Sequence, residues 1–354
     1  MAPNTPKVSI LLPSLNARKF LEERVESLLN QTFVDWEVIV LDSHSTDGSW
    51  EFLKTVAETD SRFRPHQLPR EGLYSALNRG LHLATGEFLY IAPCDDTMAP
   101  EFFAQMIETF GRCPDAGIAA CDCLFINQSG QELQPKDMFD QLSKRRVNNL
   151  LRSGNVRGSV PWLRQRNTNY RPVPHDCLLH FTGRSVYFSL TQLLIRTASA
   201  KAAGFFDTNV GSVADFCWLV RLTSLTGSVH LPKKLAAWRF HGDQLSLRSD
   251  NTRLATMSKM CESILPEIRR RYPSLLTQND CELLLLPYRI LLATSVIQRV
   301  GYWLKGVVRL SPIFIRQPLA TLHILHEVGV GRDFFLAAIF QQKQLAPRDL
   351  DTTG

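Results

Sequence analysis

Apolar positions in the first 125 residues fall into two alternating rhythms. Val8 to Leu12 is a continuous apolar run of strand length that stops at Pro13. Phe20, Leu21, Val25, Leu28 and Leu29 then recur at helical spacing with charges between them, and Asn16 is placed to cap that helix. Glu37 to Leu41 predicts a second buried strand. The turn Ser45-Thr46-Asp47-Gly48 opens a helix with Phe52, Leu53 and Val56 on one face. Gly72 to Ala84 predicts a helix with Ala76, Leu77, Gly80 and Leu81 inward. Glu87 to Ala92 predicts a strand that delivers Cys94-Asp95-Asp96 at its carboxyl end. Met98 to Phe110 reads as a helix and Gly117 to Phe125 as a strand. Such alternation implies an α/β fold with a mainly parallel sheet and helices on both faces. Ligands of such sheets bind beyond the carboxyl strand ends, where Asp42 and Asp95-Asp96 lie.

The rhythm weakens from about 128 to 189. Arg152 to Arg184 is rich in Arg, Asn, Gly and Pro and holds Trp162, Tyr170, His175 and His180, which predicts a functional or mobile insertion rather than core. Regular structure resumes at Leu190 to Arg196, and a helix carrying Asp215, Trp218, Leu219 and Leu222 follows. Beyond Arg248 strand signals vanish, and 252–271, 280–299 and 301–310 read as helices. The expected division is a first domain over 1–247 and a helical region over 248–354.

Composition narrows this picture little. The chain has 354 residues, 44% hydrophobic and 21% charged, with net charge +6. That charge is too mild to imply nucleic acid, and no nucleic-acid motif accompanies the arginine-rich insertion. The eight cysteines are scattered and form no CxxC pair. Cys121-Asp122-Cys123 lies in a predicted buried strand, so reduced thiols and a cytoplasmic setting are expected rather than zinc or disulfides. No leader-like apolar segment stands at the N-terminus, and no run of about 18 apolar residues predicts a membrane span. From Leu283 to Leu325 the charged residues are all basic, and Tyr288, Tyr302, Trp303 and Phe314 are interleaved. That mixture suits either peripheral contact with an anionic membrane face or a helical bundle.

Asp95-Asp96 carries the first chemistry. Adjacent carboxylates repel, so both stay ionised only with compensation. A divalent cation bridging a diphosphate supplies it, and Mg²⁺ takes one or two carboxylates plus phosphate oxygens. The alternative is that both merely cap the helix expected near Met98.

Four motifs in order give the pair its context. They are KVSILLPSLN from Lys7 to Asn16, SLLNQT from Ser27 to Thr32, EVIVLDSHSTDGS from Glu37 to Ser49, and GLYSALNRGL (Gly72 to Leu81) running on to ATGEFLYIAPCDD (Ala84 to Asp96). Residues 7 to 125 resemble the inverting glycosyltransferases of family 2, whose fold is called GT-A. A thinner resemblance follows in Gly204 to Asp207, Val213 to Leu222 and Trp238 to Ser246.

The resemblance implies roles. Asp42 would accept the imide N–H of a uracil or thymine; the family's frequent second aspartate is Ser43 here. Pro13 and Asn16 would border the nucleotide. Arg70 to Asn78 would lie near the sugar, with Arg70 reaching a phosphate or standing as a solvated charge. Asp95 would contact the ribose or help hold the metal, and Asp96 would bind Mg²⁺ or Mn²⁺. His241 would bind the metal or a phosphate, and Arg239 would steady the diphosphate. Asp215 would be the general base that deprotonates the acceptor hydroxyl, or would instead cap its helix or pair with Arg221. Many relatives carry Glu before this Asp, where Ala214 stands. The implied reaction is inverting transfer from a UDP- or dTDP-sugar to a saccharide or lipid-linked saccharide in polysaccharide or lipopolysaccharide synthesis. An inactive nucleotide-sugar-binding scaffold is the alternative.

Overall fold

The structure, a computed structural model, describes residues 5–133, 169–182, 187, 189–241, 252–273, 275–295, 297, 298, 301–305, 348 and 349. The elements run β1 (Val8–Ser14), α1 (Arg18–Leu29), β2 (Trp36–Asp42), α2 (Ser49–Thr59), β3 (Phe63–Gln67), α3 (Leu73–Leu83), β4 (Phe88–Ile91), β5 (Thr97–Met98), α4 (Phe102–Arg112) and β6 (Ala116–Ile126). They continue with β7 (Asn169–Arg171), α5 (His175–Leu179), β8 (Leu193–Arg196), α6 (Thr197–Ala202), α7 (Ala214–Leu225), β9 (Gly227–Arg239), α8 (Arg253–Arg271), α9 (Gln278–Leu292) and β10 (Arg348–Asp349).

Ten strands form one sheet in the order β10-β7-β9-β6-β8-β4-β1-β2-β3, with β5 attached to β9. The parallel ladder is β4-β1-β2-β3. β8 runs antiparallel to both β4 and β6, and β9 runs parallel to β6, so the sheet is mixed. Two reversals around β8 restore the direction, so β1, β2, β4, β6 and β9 all end at one edge. Successive residues in these strands point to opposite faces. Val8, Ile10, Leu12, Val38, Val40, Phe88 and Tyr90 join α1 and α4 in one core. Leu11, Ile39, Leu41, Leu89 and Ile91 join α3 and α7 in the other. Gly80 lets α3 lie close, since a Cβ there would stand 2.7 Å from Leu41 Cδ1.

Several expectations change in detail. Pro13 does not stop β1, because β4 pairs only through Leu11 and the strand continues along β2 to Ser14↔Asp42. Helix α4 begins at Phe102, so neither Asp95 nor Asp96 caps it. Asn16 is not the cap of α1; Ala17 precedes that helix without a side-chain cap bond. The exposed edge strand β3 carries no alternating apolar pattern and was not foreseen.

The largest correction concerns the polar insertion. Residues 152–168 and 183–186 lie outside the described residues, but 170–182 is core rather than a mobile loop. His175, Asp176 and His180 are buried, as is Arg171. The charges of Arg171 and Asp176 are satisfied internally. Arg171 donates to both Asp176 oxygens, at 2.5 and 3.0 Å. Ser228 Oγ donates to Asp176 Oδ2 at 2.5 Å, and the Tyr187 hydroxyl donates to the same oxygen. Burial alone would raise the Asp176 carboxyl; Arg171 and His175 hold it well below the usual carboxylate range.

Helices α8 and α9 pack on the α7 face of the sheet, with Leu283, Leu284, Leu286 and Tyr288 buried in the same core as Trp218. This part of the basic aromatic stretch is therefore bundle. Helix α9 ends at Leu292 rather than 299, and 306–325 lies outside the described residues, as does the predicted division at 247. Among the described residues no helix is long and apolar enough to cross a membrane.

Asp176→Ala leaves the Arg171 guanidinium buried without its counter-charge. It should cost roughly 3–5 kcal/mol of stability, read as a lower midpoint in urea unfolding.

Candidate active site

The strand ends converge on one cavity of about 320 Å³. Its walls include Pro13, Leu15, Asn16, Lys19 and Phe20 from the β1–α1 turn, Leu73 and Leu77 from α3, Asp95 after β4, Leu190 and His241. The β1–α1 turn is braced by the loop after β2. Asn16 holds the left-handed conformation at φ 51°, and its Oδ1 accepts from Thr46 N–H at 2.8 Å. Ser45 Oγ accepts from Asn16 N–H at 2.9 Å and donates onward to Asp42 Oδ1 at 2.5 Å. Asp42 Oδ2 accepts from Ser45 N–H at 2.9 Å. Asp42 is thus fully buried and shapes the turn from behind. Asp47 repeats the device, accepting from Arg18 N–H at 2.9 Å and Ser49 N–H at 3.0 Å.

The acidic pair is split between two environments. Asp95 faces the cavity, 28% exposed, and its Oδ2 lies 2.9 Å from His241 Nε2. The His241 ring leans on Phe20 at 5.0 Å between centroids. Asp96 turns away and is buried at 1% exposure. Its Oδ1 accepts from the Arg239 backbone N–H at 3.0 Å, and Ser189 Oγ lies 3.4 Å from Oδ2. Burial pushes the Asp96 carboxyl well above the usual carboxylate range, and neighbouring Asp95 adds to the shift.

Arg239, at the end of β9, is fully buried. Its guanidinium donates to Asp95 O at 2.7 Å, to Asn127 O at 2.9 Å, to Gln128 O at 3.0 Å and to the Glu23 carboxylate. It fixes the acidic segment from behind rather than lining the cavity. Two other predicted residues are similarly engaged. Arg70 donates to the carbonyls of Ser43, at 3.1 Å, and His44. Asn78 spends both ends of its amide on the Phe206 backbone, at 2.9 and 2.8 Å.

Asp215 sits half-buried in the first turn of α7, its Oδ1 accepting from Phe216 N–H at 2.7 Å. It does not pair with Arg221, which donates to the carbonyls of Ala203 and Phe205. Burial raises the Asp215 carboxyl above its ordinary value; Phe216 N–H, Arg253 and Tyr74 offset part of that. Asp215 is not among the residues lining the cavity, though α3 connects the two places. Lys19, Phe20 and Tyr74 were not singled out from the sequence. Phe20 was read only as part of the apolar face of α1, Lys19 only as a charge beside it, and Tyr74 only as one residue within the stretch Arg70 to Asn78.

Among the described residues no three His, Cys, Asp or Glu side chains gather as a ready metal cage. Asp95 and His241 nevertheless offer an oxygen and a nitrogen donor side by side on the cavity wall, the kind of incomplete set that a phosphate-bound cation completes. Gly242 to Ser246, the remainder of that string, lie outside the described residues.

Residues 9–179 match the family described as Glycosyl transferase family 2. EpsH of Bacillus subtilis, which carries a glycosyltransferase name, is 34% identical over 107 residues, covering 30% of this chain and 31% of EpsH. TuaG of the same organism, named for teichuronic acid biosynthesis, is 33% identical over 104 residues, covering 29% of this chain and 41% of TuaG. The chain thus matches well under half the length of either relative. The crystal structure of Staphylococcus aureus TarS 1–349 with UDP-GlcNAc superposes with TM-score 0.56 at 16% identity, over 96% of this chain and 92% of that one. At that identity the likeness carries the fold.

Arg239→Met removes the guanidinium that joins Glu23, the Asp95 carbonyl and the turn after β6. Glu23 is left half exposed, so the cost comes from the stranded carbonyls and is on the order of 1–3 kcal/mol, read as a lower thermal midpoint. Arg70→Ala, at an exposed clamp, should cost about 1 kcal/mol or less.

Proposed function

The chain belongs to glycosyltransferase family 2 through residues 9–179, and from that premise we propose that it transfers a sugar from a nucleoside-diphosphate donor to a saccharide or lipid-linked saccharide of the cell envelope. The observation that carries this reading is the cavity at the carboxyl strand ends, with Asp95 and His241 side by side on its wall. EpsH and TuaG support the class, and the UDP-GlcNAc complex of TarS supports a uridine donor.

In this reading the β1–α1 turn receives the nucleotide, and the buried Asp42–Ser45–Asn16 relay keeps the turn rigid. Lys19 stands at the rim to meet a phosphate, a point charge suited to that task. A divalent cation would be held by Asp95 and His241, rather than by the inward-facing Asp96, and would supply charge stabilisation to the departing diphosphate. Asp215 takes the proton of the acceptor hydroxyl as that oxygen attacks the anomeric carbon. Its raised carboxyl suits a general base, which works best with a pKa drawn toward the operating pH. Attack opposite the leaving group inverts the anomeric centre. Asp96, Arg70, Arg239 and Asn78 act by positioning, the last three through backbone carbonyls or N–H groups.

The test is a panel of UDP- and dTDP-sugars with Mn²⁺ or Mg²⁺; no binding and no turnover of any of them would sink the reading. Asp215→Asn should lower transfer by roughly 10²–10⁴-fold while donor affinity, measured by calorimetry, stays within about twofold. Since a carboxyl with a raised pKa is protonated at low pH and cannot accept a proton, transfer should fall as pH drops through a value higher than that of an ordinary aspartate. In a separate measurement, chelation should stop transfer, and His241→Ala should weaken Mn²⁺ binding in the presence of UDP. Unchanged Mn²⁺ affinity would remove His241 from the metal site.

A further inference from the structure

We propose that Arg24 is the buried charge that makes the cavity favour an anionic donor over a free cation, so that a metal ion enters together with the diphosphate. This rests on the reading of the cavity as the donor site, with a cation at Asp95 and His241. Arg24 belongs to the buried face of α1, with Phe20, Leu21, Val25 and Leu28. Phe20 lines the cavity and leans on His241, and Arg24 follows it by one turn on the same face. The Arg24 side chain is fully buried. Its Nη1 donates to Asp96 O at 3.4 Å, and its guanidinium carbon lies 5.3 Å from the centre of the Tyr90 ring. The charge therefore stands behind the acidic segment, one helical turn from the cavity wall.

Arg24 differs from Arg239 in having no counter-charge. Its Nε and Nη2 are buried without a hydrogen-bond partner, and among the described residues it forms no ion pair. Arg239, the other guanidinium behind the segment, has the Glu23 carboxylate. The face of the Tyr90 ring attracts a cation without cancelling its charge. A buried, unbalanced cation is costly, and an apolar side chain of similar length would fill the same space without that cost. The charge has an effect at the cavity instead. In an interior of low permittivity it reaches farther than in water and is screened little by salt. It draws a diphosphate toward the cavity and opposes a free divalent cation at Asp95 and His241. A cation already bound to a nucleoside diphosphate travels as an anionic complex, so the same charge favours it. Asp96, held by Arg239 N–H and Ser189, offsets part of this charge when ionised. Removing Arg24 shifts the potential in the same direction in either state of Asp96.

Arg24→Met and Arg24→Gln remove the charge, and Arg24→Lys keeps it. Binding of UDP without metal, and of Mn²⁺ without nucleotide, is measured by calorimetry at fixed salt, with the melting temperature followed alongside. Both uncharged variants should bind UDP about tenfold more weakly and Mn²⁺ about tenfold more tightly, while Arg24→Lys stays within about twofold of the wild type. Arg24→Met should hold or raise the melting temperature, because it removes a buried charge that has no partner. Opposite shifts for UDP and Mn²⁺ support the inference. Unchanged affinity for UDP, or affinities for UDP and Mn²⁺ that fall together, overturns it and leaves the donor site standing. A wild type that binds neither UDP nor any UDP-sugar, with or without Mn²⁺, overturns the donor reading and this inference together.

Discussion

The arrangement of the site depends on one buried guanidinium. Arg239 sits where β9 reaches the shared strand edge, and it is the point at which helix α1, the acidic segment and the turn after β6 are joined. A buried cation is tolerable only when its donors are spent, and Arg239 spends them on a carboxylate and three carbonyls. Its backbone N–H is spent on Asp96. The demand for satisfaction therefore sets where Asp96 points. Once Asp96 is drawn inward, Asp95 is left on the cavity side beside His241, two residues beyond Arg239 on the same chain.

This division resolves the difficulty posed by two adjacent carboxylates. Like charges at neighbouring positions cannot share one environment without a counter-ion. Here one is enclosed among hydrogen-bond donors with its carboxyl raised, and the other is left partly exposed against an imidazole. In the proposed reading the pair takes two separate tasks, Asp96 positioning the segment and Asp95 meeting a ligand. Environments that push neighbouring carboxyls apart are a general way to assign different roles to identical groups.

The first half of the fold was legible because β1, β2 and β4 are buried on both faces, and a short continuous apolar run bounded by turn residues fits little else than a strand buried in that way. The position of Asp95 at a strand end was legible for the same reason. What could not be read was where side chains spend their hydrogen bonds. Asn78, Arg70 and Arg239 were all expected near a donor, and each is occupied by backbone groups from segments between 26 and 144 residues away. Such pairings exist only after the chain has folded. The segment around Arg171 misled for a related reason: Arg171, Asp176 and Ser228 satisfy one another, so a stretch that reads as solvated is core.

The same principle governs the helix between the cavity and Asp215. Helix α3 has one face shaped by Gly80, which brings it onto Leu11 and Leu41, and another carrying Tyr74 and Asn78. Close packing on the sheet fixes the first face, and the Phe206 clasp fixes the second. A helix held on two sides has little freedom to shift without loss of core contacts, because packed interiors deform in steps rather than continuously. Leu73 and Leu77 at the cavity wall and Tyr74 against Phe206 therefore move together or not at all. A single helix held on both faces thus sets one wall of the place where a donor would bind.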